Sequence, residues 1–82
     1  MDTKERVRTF MRENFYVASP DALTDDTSLL EQGIVDSTGI LEVVAFIEST
    51  FDIQVEDAEM VPENLDTIDG IVAYVARKQD GG

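Results

Sequence analysis

Apolar residues recur along this chain at helical spacing, and nowhere with the strict alternation of a strand. Val7, Phe10, Met11 and Phe15 share one face of a segment opened by Asp2 or Thr3, with Glu5 near the positive end of the helix dipole, which predicts a first helix. A second and more apolar helix is predicted from Asp36 or Ser37 to about Phe51, with Ile40, Val43, Val44, Ile47 and Phe51 on one side. After Ile53-Gln54-Val55, which reads as extended, one short helical turn is expected through Glu56 to Val61 and a stop at Pro62. A last helix follows Asp66, where Ile68, Ile71, Val72 and Val75 repeat the spacing and Arg77 and Lys78 suit the negative end of the dipole.

The connection between the first two helices, YVASPDALTDDTSLLEQG, is long, polar and marked by Pro20 and an Asp-Asp pair. Connections beyond about 12–15 residues are uncommon in compact domains, so Leu23, Leu29 and Leu30 are expected to pin it to the core. Three main helices and one short one, joined through that loop, make the chain an all-α helical bundle. At 82 residues it is a single domain spanning 1–82, with a frayed tail from about Asp80.

Charge adds to the picture. Eighteen acids oppose six bases for a net charge of -12, which repels nucleic acid and anionic lipid and points to basic partners. All six bases lie near the ends, and fifteen acids occupy the stretch from Glu13 to Asp69 without one base among them. No stretch nears the roughly 20 apolar residues of a membrane span, and the start MDTKERVRTF lacks a signal-peptide core. The expected setting is the cytoplasm, and the expected state a monomer. Without Cys, disulfides, thiolate metal sites and thiol nucleophiles are excluded.

Candidate chemistry concentrates at Asp36-Ser37. Ser and Asp are both favoured helix caps, so on local pattern capping is the simpler role for Ser37. If Asp36 supplies the cap, however, the Ser37 hydroxyl is left free at an exposed helix start, where backbone N–H groups and the dipole favour an attached phosphate. Ser37 cannot act as an autonomous Ser-His nucleophile, because the chain has no His. A Ser-Lys pair is not formally excluded, yet the only lysines, Lys4 and Lys78, lie in terminal segments, so if Ser37 reacts another enzyme must bring the base. On a helical wheel Thr38, Leu41, Glu42, Ala45 and Glu48 share the face away from the apolar stripe, a mixed apolar and acidic surface suited to docking.

GIVDSTGILEVVAFIESTFDIQV resembles the modification-site helix of acyl and peptidyl carrier proteins, whose hallmark is a Gly-x-x-Asp-Ser step followed by an acidic, apolar helix. Length, acidity, the long first loop and the downstream VEDAEMVPENLDTIDGIVAYVARK extend the similarity over nearly the whole chain. The resemblance implies a non-catalytic carrier whose Ser37, preceded by Asp36, is joined through a phosphodiester to 4'-phosphopantetheine taken from coenzyme A by a phosphopantetheinyl transferase. Acyl or aminoacyl groups would then ride on the arm as thioesters. An activating ligase and acyl-transfer or synthase enzymes with basic patches would recognise Thr38, Leu41, Glu42, Ala45 and Glu48. Carriers of fatty-acid synthesis commonly place Leu or Met after the modified serine, where this chain has Thr38. The Thr38-Gly39 step looks more like discrete carriers that serve dedicated ligases, including aminoacyl and D-alanyl carriers, with fatty-acid or polyketide synthesis as the alternative.

Three readings of other classes stand against this one. An acidic helical adaptor without prosthetic group would use the second helix only for docking. A Gly81-Gly82 terminus is shared with ubiquitin-like modifiers, but their folds need a β pattern that is absent here. A calcium loop starting at Asp21 fails as an EF-hand, having Asp26 in place of Gly and Gln32 in place of Glu.

Overall fold

A computed structural model describes residues 2–15, 17 and 23–80; the loop segment containing Pro20 and the Gly81-Gly82 pair lie outside the described residues. Helix α1 spans Thr3–Asn14, α2 Ser37–Phe51, α3 Pro62–Leu65 and α4 Ile68–Gln79, with a 3₁₀ turn at Asp57–Glu59 between α2 and α3. Among the described residues there is no strand, and no helix is long and apolar enough to cross a membrane.

The three longer helices open on side-chain caps. The Asp2 carboxylate accepts from the Glu5 amide at 2.8 Å, Asp36 from the Gly39 amide at 2.7 Å, and the Thr67 hydroxyl oxygen from the Gly70 amide at 2.8 Å. Helix α2 ends on Asp52, whose φ of 56° is left-handed, a conformation Asp tolerates better than most residues. Pro62 corrects the sequence expectation: it opens α3 at the first helical position instead of stopping a helix. Its missing N–H is one that no helix start could pair, and its fixed φ already suits the helix.

Helix α4 packs against each of the other three helices, and Ile68, Ile71 and Val75 are fully buried at the centre. Val7 and Met11 of α1 and Val43 and Ile47 of α2 complete the core from either side. Tyr74 also turns inward, its ring 1% exposed, although its apolar spacing was not read from the sequence. Between α1 and α2 the chain's four phenylalanines form one ladder. Phe10 stacks on Phe46 at 4.1 Å between centroids, while Phe15 and Phe51 meet the two ends edge-on at 5.8 and 5.9 Å.

The described part of the long loop is pinned by Leu23, Leu29 and Val35, all buried. Leu30 corrects the expectation, since it stays 38% exposed. The Leu29 amide donates to the Asp66 carbonyl at 2.7 Å, and the Leu29 carbonyl accepts from Ile34 and Val35. That arrangement commits Leu29 to the core and turns Leu30 outward. The Asp66 carboxylate locks the turn, accepting from the Ser28 hydroxyl at 2.6 Å and the Leu30 amide at 2.9 Å. At its other end, Asp25 receives Lys4 at 3.0 Å and the Arg8 guanidinium, while the Asp25 carbonyl accepts from the Asp69 amide at 2.9 Å. The two cations hold the Asp25 carboxyl below its ordinary range, the Lys4 hydrogen bond most strongly.

Gly39 is where α1 and the loop come closest to the start of α2. A Cβ there would stand 2.9 Å from the Phe15 ring and 3.1 Å from the Val35 side chain, which is buried and has no room to move. Gly39→Ala gains up to about 1 kcal/mol of helix propensity but incurs about 1–3 kcal/mol of overpacking. A lower melting temperature than wild type is expected in thermal unfolding followed by circular dichroism, and an equal or higher one would show that Phe15 and Val35 yield freely.

Candidate functional site

Asp36 and Ser37 divide the two roles that the sequence left open. Asp36 is the cap, with extended backbone and its Oδ1 on the Gly39 amide, while its carbonyl accepts from Ile40 at 2.9 Å and starts the helical ladder. Ser37 is then the first helical residue and is exposed. Its hydroxyl makes no hydrogen bond among the described residues, and the amides of Ser37 and Thr38 have no acceptor there. An oxyanion placed on that hydroxyl meets two free N–H groups and the positive end of a 15-residue helix. With Asp36 already occupied as a cap, the serine is free to be modified.

Of the face assigned to partners, Thr38, Leu41, Glu42 and Ala45 are exposed, and Leu41 is the most exposed large apolar residue described, at 59%. Glu48 sits differently. It is half-buried and accepts from the Val55 amide at 3.0 Å, fastening the non-helical chain after α2 back onto that helix.

Beside Ser37 lies a feature that the helical patterns do not show. A cleft of about 230 Å³ is lined by Ser37 and Ile40 of α2, Leu30 of the loop, and Met60, Val61, Pro62 and Leu65 from the segment around α3. Apart from Ser37 the lining side chains are apolar. Leu30 and Val61, with Leu41, are the large apolar side chains that the described structure leaves exposed, so all three lie in the cleft or one turn along α2 from the serine. The available signal was weak: a Val-Pro pair after an acidic turn, and a second leucine with no place in the core.

The wall formed by Met60, Val61 and α3 is tied to α4 by polar groups. One Glu59 carboxylate oxygen accepts from the Glu56 amide at 3.0 Å, the Tyr74 hydroxyl at 3.1 Å and the Lys78 ammonium at 3.0 Å. The Asn64 amide group donates to the Glu59 carbonyl at 2.8 Å, and its oxygen accepts from Arg77 at 2.9 Å. Arg77 and Lys78, read from the sequence as partners of the helix dipole, thus also grip the wall. The Glu56 amide and Lys78 hold the Glu59 carboxyl below its usual range, and burial together with Glu59 pushes the Tyr74 hydroxyl up to about 12.

Comparison with known proteins gives the chain's relatives. The family described as "Phosphopantetheine attachment site" matches residues 5–75. The chain is similar to an acyl carrier protein of Campylobacter hominis, at 35% identity over 92% of this chain and 91% of that one. It is similar to a D-alanyl carrier protein of Streptococcus suis, at 32% identity over 92% of each. An acyl carrier protein of Akkermansia muciniphila matches at 34% identity over 93% of this chain and 91% of its own length.

The division of roles at the α2 start predicts that Asp36→Ala destabilises the protein by about 1 kcal/mol. Asp36→Asn, which keeps a side-chain acceptor, should lose only a fraction of that in urea unfolding; equal losses would deny the cap. The wall predicts a late phenol. In an ultraviolet titration Tyr74 ionises near pH 12, a step that disappears in Tyr74→Phe. Because the folded value lies above the ordinary 10.0, the stability tied to the neutral phenol is present below pH 10 and is lost as pH rises through about 12. Ionisation of both tyrosines at pH 10 would contradict the buried hydrogen bond to Glu59.

Proposed function

The chain belongs to the family of proteins that bear a phosphopantetheine attachment site, and on that premise we propose that Ser37 bears the arm and presents acyl or aminoacyl groups to the enzymes of a specialised pathway. The observation that carries this reading is the free, exposed Ser37 hydroxyl at the start of a helix whose cap is supplied by Asp36. The residues present fit the group: an unpartnered hydroxyl, two free amides beside it and an apolar cleft next to it. When bound, the arm supplies the terminal thiol that a chain without Cys lacks.

Each neighbouring residue has a part in this reading. Asp36 fixes the helix start and so the direction of the serine, and the Ser37 and Thr38 amides offset the negative charge of a phosphodiester. No His is available to deprotonate Ser37, so the phosphopantetheinyl transferase brings the base and the carrier itself stays non-catalytic. Thr38, Leu41, Glu42 and Ala45 offer partners an apolar centre within an acidic field. Basic partner patches would gain fast association from that field while the small apolar contact allows release. The reading places the protein in the cytoplasm, the reducing setting that suits a chain without Cys.

Thr38, exposed directly after the serine, supports a discrete carrier served by its own ligase over one of fatty-acid synthesis. The cleft favours one kind of cargo for any group that folds back from the arm. Its lining offers no ion to pair an ammonium group, so an apolar acyl group is better solvated there.

The test is an intact mass spectrum after incubation with coenzyme A and a broad-specificity phosphopantetheinyl transferase. A gain equal to the arm is expected for wild type and none for Ser37→Ala. No gain in a folded wild-type protein with an active transferase would instead favour an acidic helical adaptor.

A further inference from the structure

We propose that Glu59 is a specificity-determining positioning residue: through Tyr74 and Lys78 it sets the width of the cleft beside Ser37, and thereby the longest acyl group that the cleft admits. This rests on the reading of Ser37 as the attachment residue. Helix α3 has four residues, far below the ~12–15 at which an isolated helix is even marginal in water. Its place is therefore set by what holds it. Leu65 is buried and Asp66 fastens the far end to the loop, but Met60 and Val61, at the near end, are only half-buried or exposed.

What precedes them is the Glu59 cluster. Three donors converge on one carboxylate oxygen, two of them from the side chains of α4, the helix on which the rest of the bundle packs. Lys78–Glu59 is also the most sheltered ion pair among the described residues, with the two side chains 13% and 30% exposed. Sheltered, charge-assisted bonds hold geometry better than exposed pairs. Asn64 copies the tie one turn later, joining the Glu59 carbonyl to Arg77. Met60 and Val61 thus hang between a fixed Glu59 and a fixed Leu65, and their distance from Ile40 across the cleft follows from the first of these.

The experiment loads the arm directly with acetyl, butyryl, hexanoyl and octanoyl groups from the corresponding acyl-coenzyme A, with loading at Ser37 verified by mass. The carbon resonances of isotope-labelled methionine methyl groups are then recorded. Met60 lines the cleft, whereas Met11 is buried in the core and serves as the internal reference. In wild type the Met60 methyl signal is expected to move with each longer acyl group until the cleft is full, and then to stop. In Glu59→Gln that limit moves to a longer chain by at least one two-carbon step, or the response is lost, while Met11 stays in place. Tyr74→Phe removes one donor and keeps the ring, so it gives the same direction should Glu59→Gln fold poorly. Lys4→Met, which removes the ion pairs to Asp25 and Asp69 and touches no residue of the cleft, keeps the wild-type limit. An unchanged limit in folded Glu59→Gln and Tyr74→Phe overturns the proposal and leaves Glu59 a structural tie. A wild-type Met60 signal indifferent to every verified acyl group overturns it as well. Failure of loading at Ser37 is a different result, which removes the carrier reading itself.

Discussion

Everything in this small bundle leans on α4. Its Ile68, Ile71 and Val75 are wrapped by α1, α2 and α3, and the same helix supplies buried Tyr74 together with Arg77 and Lys78 as ties to the segment that walls the cleft. A domain of this size buries a limited share of its surface, so one central helix has to serve both as core and as anchor. Apolar burial there is nondirectional and sets the compactness. The polar ties are directional and set where the remaining short pieces lie.

The consequence for function is a division between rigid and adjustable parts. Ser37 stands on a 15-residue helix whose start is fixed by the Asp36 cap and whose approach to α1 and the loop is fixed by the missing side chain at Gly39. Opposite it, the cleft wall is a four-residue helix and a 3₁₀ turn, held by single carboxylates at either end, Glu59 and Asp66. In the proposed reading, a modified Ser37 that meets several enzymes benefits from being fixed. In the same reading, a wall that accommodates cargo benefits from being held by a few replaceable bonds.

Charge is arranged along the same division. Three of the six cations near the chain's ends are tied to carboxylates of the fold: Lys4 and Arg8 to Asp25, and Lys78 to Glu59. The surface around Ser37 is left to Asp36, Glu42 and exposed apolar groups. The ends therefore fasten the fold, and the middle of the chain, with no base between Glu13 and Asp69, carries unbroken negative sign.

The helical class and the three long helices were legible in the sequence, with their starts placed to within a residue or so, because 3.6-residue apolar spacing and polar residues at helix starts act locally, within a turn or two of chain. The Asp-Ser step and the resemblance it carries were legible for the same reason. The inward turn of Leu29 against the outward turn of Leu30, and the cleft built from Leu30, Ile40, Met60 and Leu65, were not. Nor was the convergence of Tyr74 and Lys78 on Glu59. Each of these depends on groups 15 or more residues apart in the chain meeting in space, and no local periodicity encodes which face of a short, weakly patterned segment a distant helix will cover. Local chemistry thus determined where the serine is and how its helix begins, whereas tertiary packing alone decided what lies beside it.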